Sequence, residues 1–444
     1  MNAEVRSMKT TAEQALAEAF AAARATLPGD SRVLALREAA FGQFDALGLP
    51  HRRIEEWKYT DLRALMREAR PIAGAPDAAA KARAAKAGAL AGDIDARRVV
   101  FVDGTFVPEL SDLGDLSAGL TIRSMAQALA GGDLLLAAHL GQVLPPEREG
   151  VVALNTALMR DGALIHVARG ATLERPIHLV FAATGSKPAS VFTRSLVVIE
   201  QGARAMLVES HDAAGAHQVN NAIEIAVGDE AHVDHIKIVD GPDDLLHVST
   251  LMAAIGARAR FNDFSFNIGG GVVRNQLFVR FDGEGTLAGI RGASLLKGKQ
   301  HVDTTLVADH KAGGCQSREV FACVLDGESR GVFQGKIIVR PHAQQTDAKM
   351  MTRALLLSNE AEADNKPELE IFADDVQCGH GATSGALDQD IKFYLMARGI
   401  PEPEAEALLV QAFVGEAIEG IEHAGLRDAL IGEVVAWLQA RSGG

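Results

Sequence analysis

The chain has little cysteine and few aromatic residues. Its three cysteines, Cys315, Cys323 and Cys378, are spread too thinly over 444 residues for a disulfide framework. That usage points to a reducing, cytoplasmic setting. Two tryptophans, two tyrosines and 17 phenylalanines leave Ala, Leu, Val and Ile to fill the core. No apolar run reaches the roughly 18 residues that a membrane-spanning helix needs, so no membrane partner is expected. The N-terminal MNAEVRSMKTTAEQ lacks the apolar centre of a signal peptide. Basic residues are outnumbered, 44 Lys and Arg against 58 Asp and Glu, for a net charge of -14. That balance speaks against nucleic acid and anionic membranes as main partners.

Catalytic signatures are missing too. LLKGKQ, Leu295 to Gln300, has the Gly-Lys pair of a phosphate-binding loop, but Ala293 replaces the leading glycine and Gln300 replaces Ser or Thr. GEGTLAG around Gly283 has one residue too many for a dinucleotide fingerprint. No Ser-centred nucleophile elbow occurs. Asp103, Asp374 and Asp375 are candidate carboxylates that nothing in the sequence pairs into a dyad.

What is present divides by texture. Up to about residue 95 the chain is rich in Ala, Glu and Arg at helical spacing, with Ala15, Leu16, Phe20, Ala23 and Leu27 on one stripe. This helical system turns around Gly48 to Pro50 and resumes from His51; residues 78–90 are either helix or disordered. VVFVDGTFVPEL reads as a hairpin turning at Asp103-Gly104. From about residue 150 to 390, short β-type runs recur, with turn glycines Gly170, Gly202, Gly228, Gly256 and Gly283 at steps of 32, 26, 28 and 27 residues. So regular a period predicts a parallel β-helix, with a β-sandwich as the alternative. Leu196, Val198, Ile223, Ile225, Val233 and Ile236 are expected to share one stacked core. Helix returns in two stripes, Ala405, Leu408, Leu409, Ala412, Phe413, Ala417 and Ile421, then Leu426, Leu430, Val434, Trp437 and Leu438. These stripes suit capping of the solenoid or docking of a partner. The expected fold is therefore mainly β: an N-terminal helical domain over 1–115, a connecting segment over 116–150, a β-helix core over 151–391 and a C-terminal helical domain over 392–444.

The candidate site lies in CGHGATSG, Cys378 to Gly385. On a strand, the two-residue spacing of Cys378 and His380 places a thiol and an imidazole on one face, unless Gly379 bulges. Both groups suit soft metals, although a buried cysteine beside a surface histidine is the plainer reading. In HVDH, His232 and His235 should face opposite ways and not share a metal. Cys315 and Cys323 read as buried core thiols.

Three stretches carry a resemblance: HRRIEEWKYTDL, GALIHVARGATLERPIHLVF, and QTDAKMMTRALLLSNEAEADNKPELEIFADDVQCGHGATSG. Over nearly the whole chain they resemble the SufB/SufD family of iron–sulfur cluster assembly proteins, with EEWKYTDL and the overall length resembling the SufD branch. The resemblance implies a right-handed parallel β-helix between helical ends and a scaffold subunit that is not itself an enzyme. It implies pairing with a SufB-like subunit and docking of a SufC-like ATPase through residues 392–441. His380 matches the motif histidine at the subunit interface, where iron or a transient iron–sulfur cluster is handled. A reduced flavin belongs among the cofactors the resemblance allows in the complex, with no residue here to mark its site. A homodimer is allowed when the chain is expressed alone. SufB has Glu after the motif histidine, where this chain has Gly381, and its cluster-forming cysteine falls near Ala361. The chain thus lacks the family's most direct cluster ligands. A pure scaffold without a metal ligand and a carbohydrate-active β-helix enzyme are the alternatives; the latter needs clustered carboxylates and aromatic platforms.

Overall fold

A computed structural model describes residues 9–142 and 149–442 of the chain. Two long sheets face each other across a lumen, and the chain alternates between them. One sheet holds β1 (Arg97–Val102), β2 (Thr105–Phe106), β5 (Ile177–Ala183), β7 (Arg204–Ala213), β9 (His232–Asp240), β11 (Arg260–Asn267), β13 (Leu287–Leu296), β15 (Gln316–Leu325), β17 (Asp347–Leu356) and β19 (Gln377–Gly385). The other holds β3 (Leu120–Ser124), β4 (Ala163–Val167), β6 (Ser190–Ile199), β8 (Gln218–Val227), β10 (Leu246–Ile255), β12 (Val272–Phe281), β14 (His301–His310), β16 (Arg330–Val339) and β18 (Glu362–Ile371). From β4 and β5 onward every neighbouring pair is parallel, which is a β-helix and rules out the sandwich. β1 and β3 join these sheets from the segments read as helical domain and connector.

The coil length matches the period of the sequence. Ser190 pairs with Gln218, and the same position advances to Leu246, Val272, His301, Arg330 and Glu362, steps of 28, 28, 26, 29, 29 and 32 residues. One corner of every coil but the last, β18 to β19, carries a left-handed residue: Gly170, Gly202, Glu230, Arg258, Gly285, Gly314 and Gln345. Their amides donate to the next coil, Gly202 to Asp229 O, Glu230 to Ala257 O and Arg258 to Glu284 O. Of the five turn glycines, Gly170 and Gly202 sit in this column. Gly228, Gly256 and Gly283 lie two residues before it and back onto the preceding coil; a Cβ on Gly283 would stand 2.0 Å from Ala257 N.

Three of the six expected core residues, Ile223, Ile225 and Val233, point into the lumen. The other three point outward. Leu196 and Val198 lie under α5 (Met125–Gly131) and α6 (Leu134–His139), and Ile236 lies under the C-terminal helices. Both faces of these strands are covered, so alternation alone does not tell inside from outside.

The N-terminal helices are α1 (Thr11–Ala23), α2 (Ser31–Leu47), α3 (Leu62–Leu65), α4 (Ala78–Ala84) and α7 (Gly150–Leu158). Thr10 and Glu13 close a reciprocal capping box on α1. The stretch after His51 is not a resumed helix. Between His51 and α3 only a single 3-10 turn forms, Glu55–Trp57, and the segment runs as a strap over the second sheet. Its anchors explain its composition. Trp57 is buried with its ring 4.4 Å from the Arg274 guanidinium, and Arg274 donates to Glu56 O at 2.7 Å. Arg274 forms a fully buried ion pair with Asp303, which also accepts from the Thr60 hydroxyl and the Gln334 amide. Glu55 reaches Lys366 in the last coil.

At the other end, α8 (Gln389–Met396), α9 (Glu402–Ile418) and α10 (Ala424–Ser442) follow the last strand. All five residues of the second stripe are buried on the outer face of the first sheet, against Phe264, Phe266 and Leu295 among others. The first stripe is rotated from its expected phase. Val410, Val414 and Ile418 are buried beside Ala405, Ala417 and Ile421, whereas Leu408 and Ala412 face solvent.

The lumen is not purely apolar. Glu209, His235 and Asp263 form a buried chain, with His235 Nε2 3.0 Å from Glu209 and Nδ1 2.7 Å from Asp263. Lys237 donates to Ser249 and Asn275, both at 2.6 Å. Burial pulls the His235 imidazole down, but Asp263 and Glu209 outweigh it and raise it to about 9. Burial lowers the Lys237 ammonium to about 8 against the pull of the same two carboxylates. The charges balance, two carboxylates against two cations, as a buried cluster requires.

A raised imidazole has a defined signature. His235 contributes stability that is full below its unfolded value of about 6.5 and is lost as pH rises through its folded value of about 9. Lys237, shifted the opposite way, is present in both proteins when parent and His235→Gln are compared. The variant should be less stable by on the order of 3 kcal/mol at pH near 6.5 in urea denaturation. That gap should narrow toward pH ~9.5; a constant gap contradicts the charge assignment.

Candidate functional site

The two ends of the coil stack differ. At the N-terminal end, β1 turns back into β2 and β4 pairs with the antiparallel β3. Asp103 and Gly104 both have positive φ, as the expected hairpin turn needs. Phe106, Leu113 and Leu116 pack over the lumen core and plug this end. At the C-terminal end, β18 and β19 are the last strands of their sheets, and no described element pairs with their outer edges.

These two edges are chemically unlike. β18 carries Glu362, Asp364, Lys366, Pro367, Glu368 and Glu370. Its charges are paired along the surface, Asp364 with Arg330 at 2.6 Å and Glu370 with Lys336 at 3.1 Å. Charge and proline blunt an edge against pairing. β19 reads QCGHGATSG and has no Lys, Arg, Asp, Glu or Pro. It is an unprotected edge.

Cys378 and His380 stand on that strand. The register with β17 is unbroken, Ala348 to Cys378, Lys349 to Gly379 and Met350 to His380, so Gly379 makes no bulge. Both side chains share the face of Ala348 and Met350, which lie in the lumen core. In an inner coil this face would be buried; in the last coil His380 is exposed and Cys378 is partly covered. Burial pushes the Cys378 thiol up, with Asp347 and Glu319 adding to it and the Ala348 amide opposing. The isolated chain therefore holds Cys378 as a thiol, and a metal or a partner's positive charge has to draw out the thiolate. His380 makes no ring hydrogen bond among the described residues, so both nitrogens are available.

The remaining candidates divide as their spacing implied. Cys315 is fully buried, with its Sγ 3.3 Å from Gly283 O, and burial pushes the Cys323 thiol to about 12. His232 faces outward and His235 faces the lumen. Asp103 is structural, accepting from the Thr184 and Gly185 amides at 2.9 and 3.0 Å. One grouping was not legible: His232, Asp234 and Glu422 bring donor atoms within 4.8 Å of one another. Glu422 follows α9, far along the chain, and Arg260 lies 3.7 Å from its carboxylate. A second missed feature is α8, which exposes Ile391, Phe393, Tyr394 and Met396, with Phe393 at 72%. No helix is long and apolar enough to cross a membrane among the described residues.

Comparison with known proteins bears on this geometry. Residues 181–413 match the family model for the SufBD core domain of SUF-system iron–sulfur cluster assembly, and residues 10–179 match the SufBD N-terminal region. The chain is 34% identical to a SufBD-family cluster assembly protein of Synechocystis over 414 residues, 90% of each chain. It is 31% identical to the cluster assembly protein SufD of Escherichia coli over 395 residues, 87% of this chain and 89% of that one. The chain belongs to the SufBD family of iron–sulfur cluster assembly proteins.

Proposed function

We propose that the chain is the SufD-like member of a cytoplasmic SufB–SufC–SufD scaffold, pairing with a SufB-like subunit through its open coil end. The observation that carries this reading is the uncharged edge of β19 with Cys378 and His380 on it. Strand pairing there satisfies the free backbone groups and covers the exposed lumen face. It brings an imidazole, and a thiol able to ionise, to a boundary between two chains. Iron and sulfide are cargo assembled at that boundary, with His380 the first ligand and Cys378 the second. The chain has no phosphate-binding loop, so the energy of ATP is assigned to a bound SufC-like ATPase and the chain acts as a scaffold without catalysis of its own.

We infer an ATPase contact on the outward apolar side chains of the C-terminal helices, within the expected residues 392–441. Those stripes are largely spent on the first sheet, so deleting α9 and α10 would uncover that face and confuse any binding test. The exposed apolar side chains of α8, with Leu408 of α9 and Ile431 of α10, remain for docking. Phe393→Glu should leave the fold intact, since the side chain is 72% exposed. It should weaken ATPase binding at least about tenfold in a calorimetric titration; unchanged affinity removes α8 from the interface.

The cluster role has its own test. His380→Ala in the co-purified anaerobic complex should leave partner binding near normal and lower iron and sulfide content about tenfold or more. Cys378→Ala should lower it less, because a small apolar residue replaces a packed thiol. Normal iron and sulfide in the His380→Ala complex would make the chain a pure scaffold.

A further inference from the structure

One lumen residue has no partner for its charge. Glu319 on β15 is fully buried, and neither of its carboxyl oxygens has a hydrogen-bond partner among the described residues. The Ser317 hydroxyl on the same face is engaged with His310 Nε2 at 3.1 Å. Register fixes where Glu319 stands. It pairs with Met350 on β17, and Met350 pairs with His380 on β19, so the three share one column of the lumen. Cys378 heads the adjacent column, over Ala348 and Ser317. Neighbouring strands are roughly 4.8 Å apart, which puts the Glu319 backbone about 10 Å from that of His380.

The charges around this column are one-sided. By the two-residue period of a strand, the lumen positions of β15 to β19 hold no Lys or Arg and no carboxylate but Glu319. Arg318 and Lys349 lie on the outer face and pair with Asp347. Lys336 and Lys366 are also on the outer face and pair with Glu368. Burial lowers the His310 imidazole to about 4, so it is neutral. Burial pushes the Glu319 carboxyl up to about 7, with Ser317 and Arg318 opposing. A buried carboxylate that nothing neutralises is costly, and a cation arriving at the open end of the stack offsets that cost. Met350, 2% exposed, keeps water and salt from screening the charge on that side.

We propose that Glu319 sets the charge selectivity of the open coil end: its unopposed carboxylate draws a divalent cation, ferrous iron, to the lumen face of Cys378 and His380 and repels anions, sulfide among them. The cargo named here rests on the cluster reading; the negative potential at Cys378 does not. Glu319 acts at a distance, as a positioning charge and not as a ligand.

The potential is read first, without metal. Cys378 in the full chain is alkylated by anionic iodoacetate and by neutral iodoacetamide at pH about 8, above the folded value of Glu319, and followed by mass spectrometry of its peptide. The ratio of the two rates cancels the thiolate fraction and leaves the local potential. Glu319→Gln should raise the iodoacetate-to-iodoacetamide ratio at least about threefold. Glu319→Leu, apolar like its register neighbours Ile290 and Met350, should do the same in a fold that loses no partner. Ratios equal to the parent's in both variants overturn the inference, whatever Cys378 and His380 bind. Cobalt(II), a redox-stable stand-in for ferrous iron, is then titrated by calorimetry. Glu319→Gln should weaken its binding about tenfold. Unchanged affinity in Glu319→Gln, with binding lost in the Cys378→Ala/His380→Ala chain, also overturns the inference. Cobalt binding that is absent in the parent, or equal in the parent and that double variant, removes the ligand reading and leaves the potential to be decided by the alkylation ratio.

Discussion

Backbone pairing between successive coils is the constraint on which this molecule depends. Each strand of a parallel β-helix takes its hydrogen bonds from the coil before and the coil after. A finite stack must therefore end in two unpaired edges. The N-terminal edge is closed within the chain by the antiparallel strands β2 and β3 and by Phe106, Leu113 and Leu116 over the lumen. The C-terminal edge is left open among the described residues, and Cys378 and His380 stand on it.

The remaining structure follows from making each coil stick to the next. A left-handed residue at one corner of every coil but the last lets its amide reach the following coil, and Glu230, Arg258 and Gln345 accept that backbone as glycine does elsewhere in the column. Outside, helices and the strap cover the sheets. Inside, Glu209, His235, Asp263 and Lys237 form a cluster whose charges cancel, whereas burial pushes the lone Glu319 carboxyl up to about 7. The strap couples distant parts: it is pinned by Arg274 and Asp303 at mid-stack and touches Lys366 in the last coil. Its WKYT segment, which helped to mark the family, clamps the strap to the second sheet through Trp57 and Thr60.

The sequence exposed the repeat well because each coil repeats one corner, and glycine marks that corner or its neighbour. It told little about which side of a strand faces the lumen. Leu196, Val198 and Ile236 are as apolar as Val233 and Ile225, and a covering layer on each side makes the pattern symmetrical. The stripe in α9 slipped because Leu408 and Ala412 look like core residues yet face solvent. Cys378 and His380 were legible as a same-face pair, since a strand has a period of two whatever its partners. That their face is the lumen face, exposed only because the stack stops there, required the register of β17 with β19. Glu422 beside His232 and Asp234 joins residues too far apart in sequence for any local pattern to connect.

The central claim is that β19 is an edge built for another chain. Hydrogen–deuterium exchange of the β18 and β19 amides, in the chain alone and in complex with a SufB-like partner, tests it most directly. The account predicts rapid exchange at alternate β19 amides in the free chain and strong protection in the complex, with inner strands such as β10 unchanged. Equal exchange of β19 in both states would contradict it.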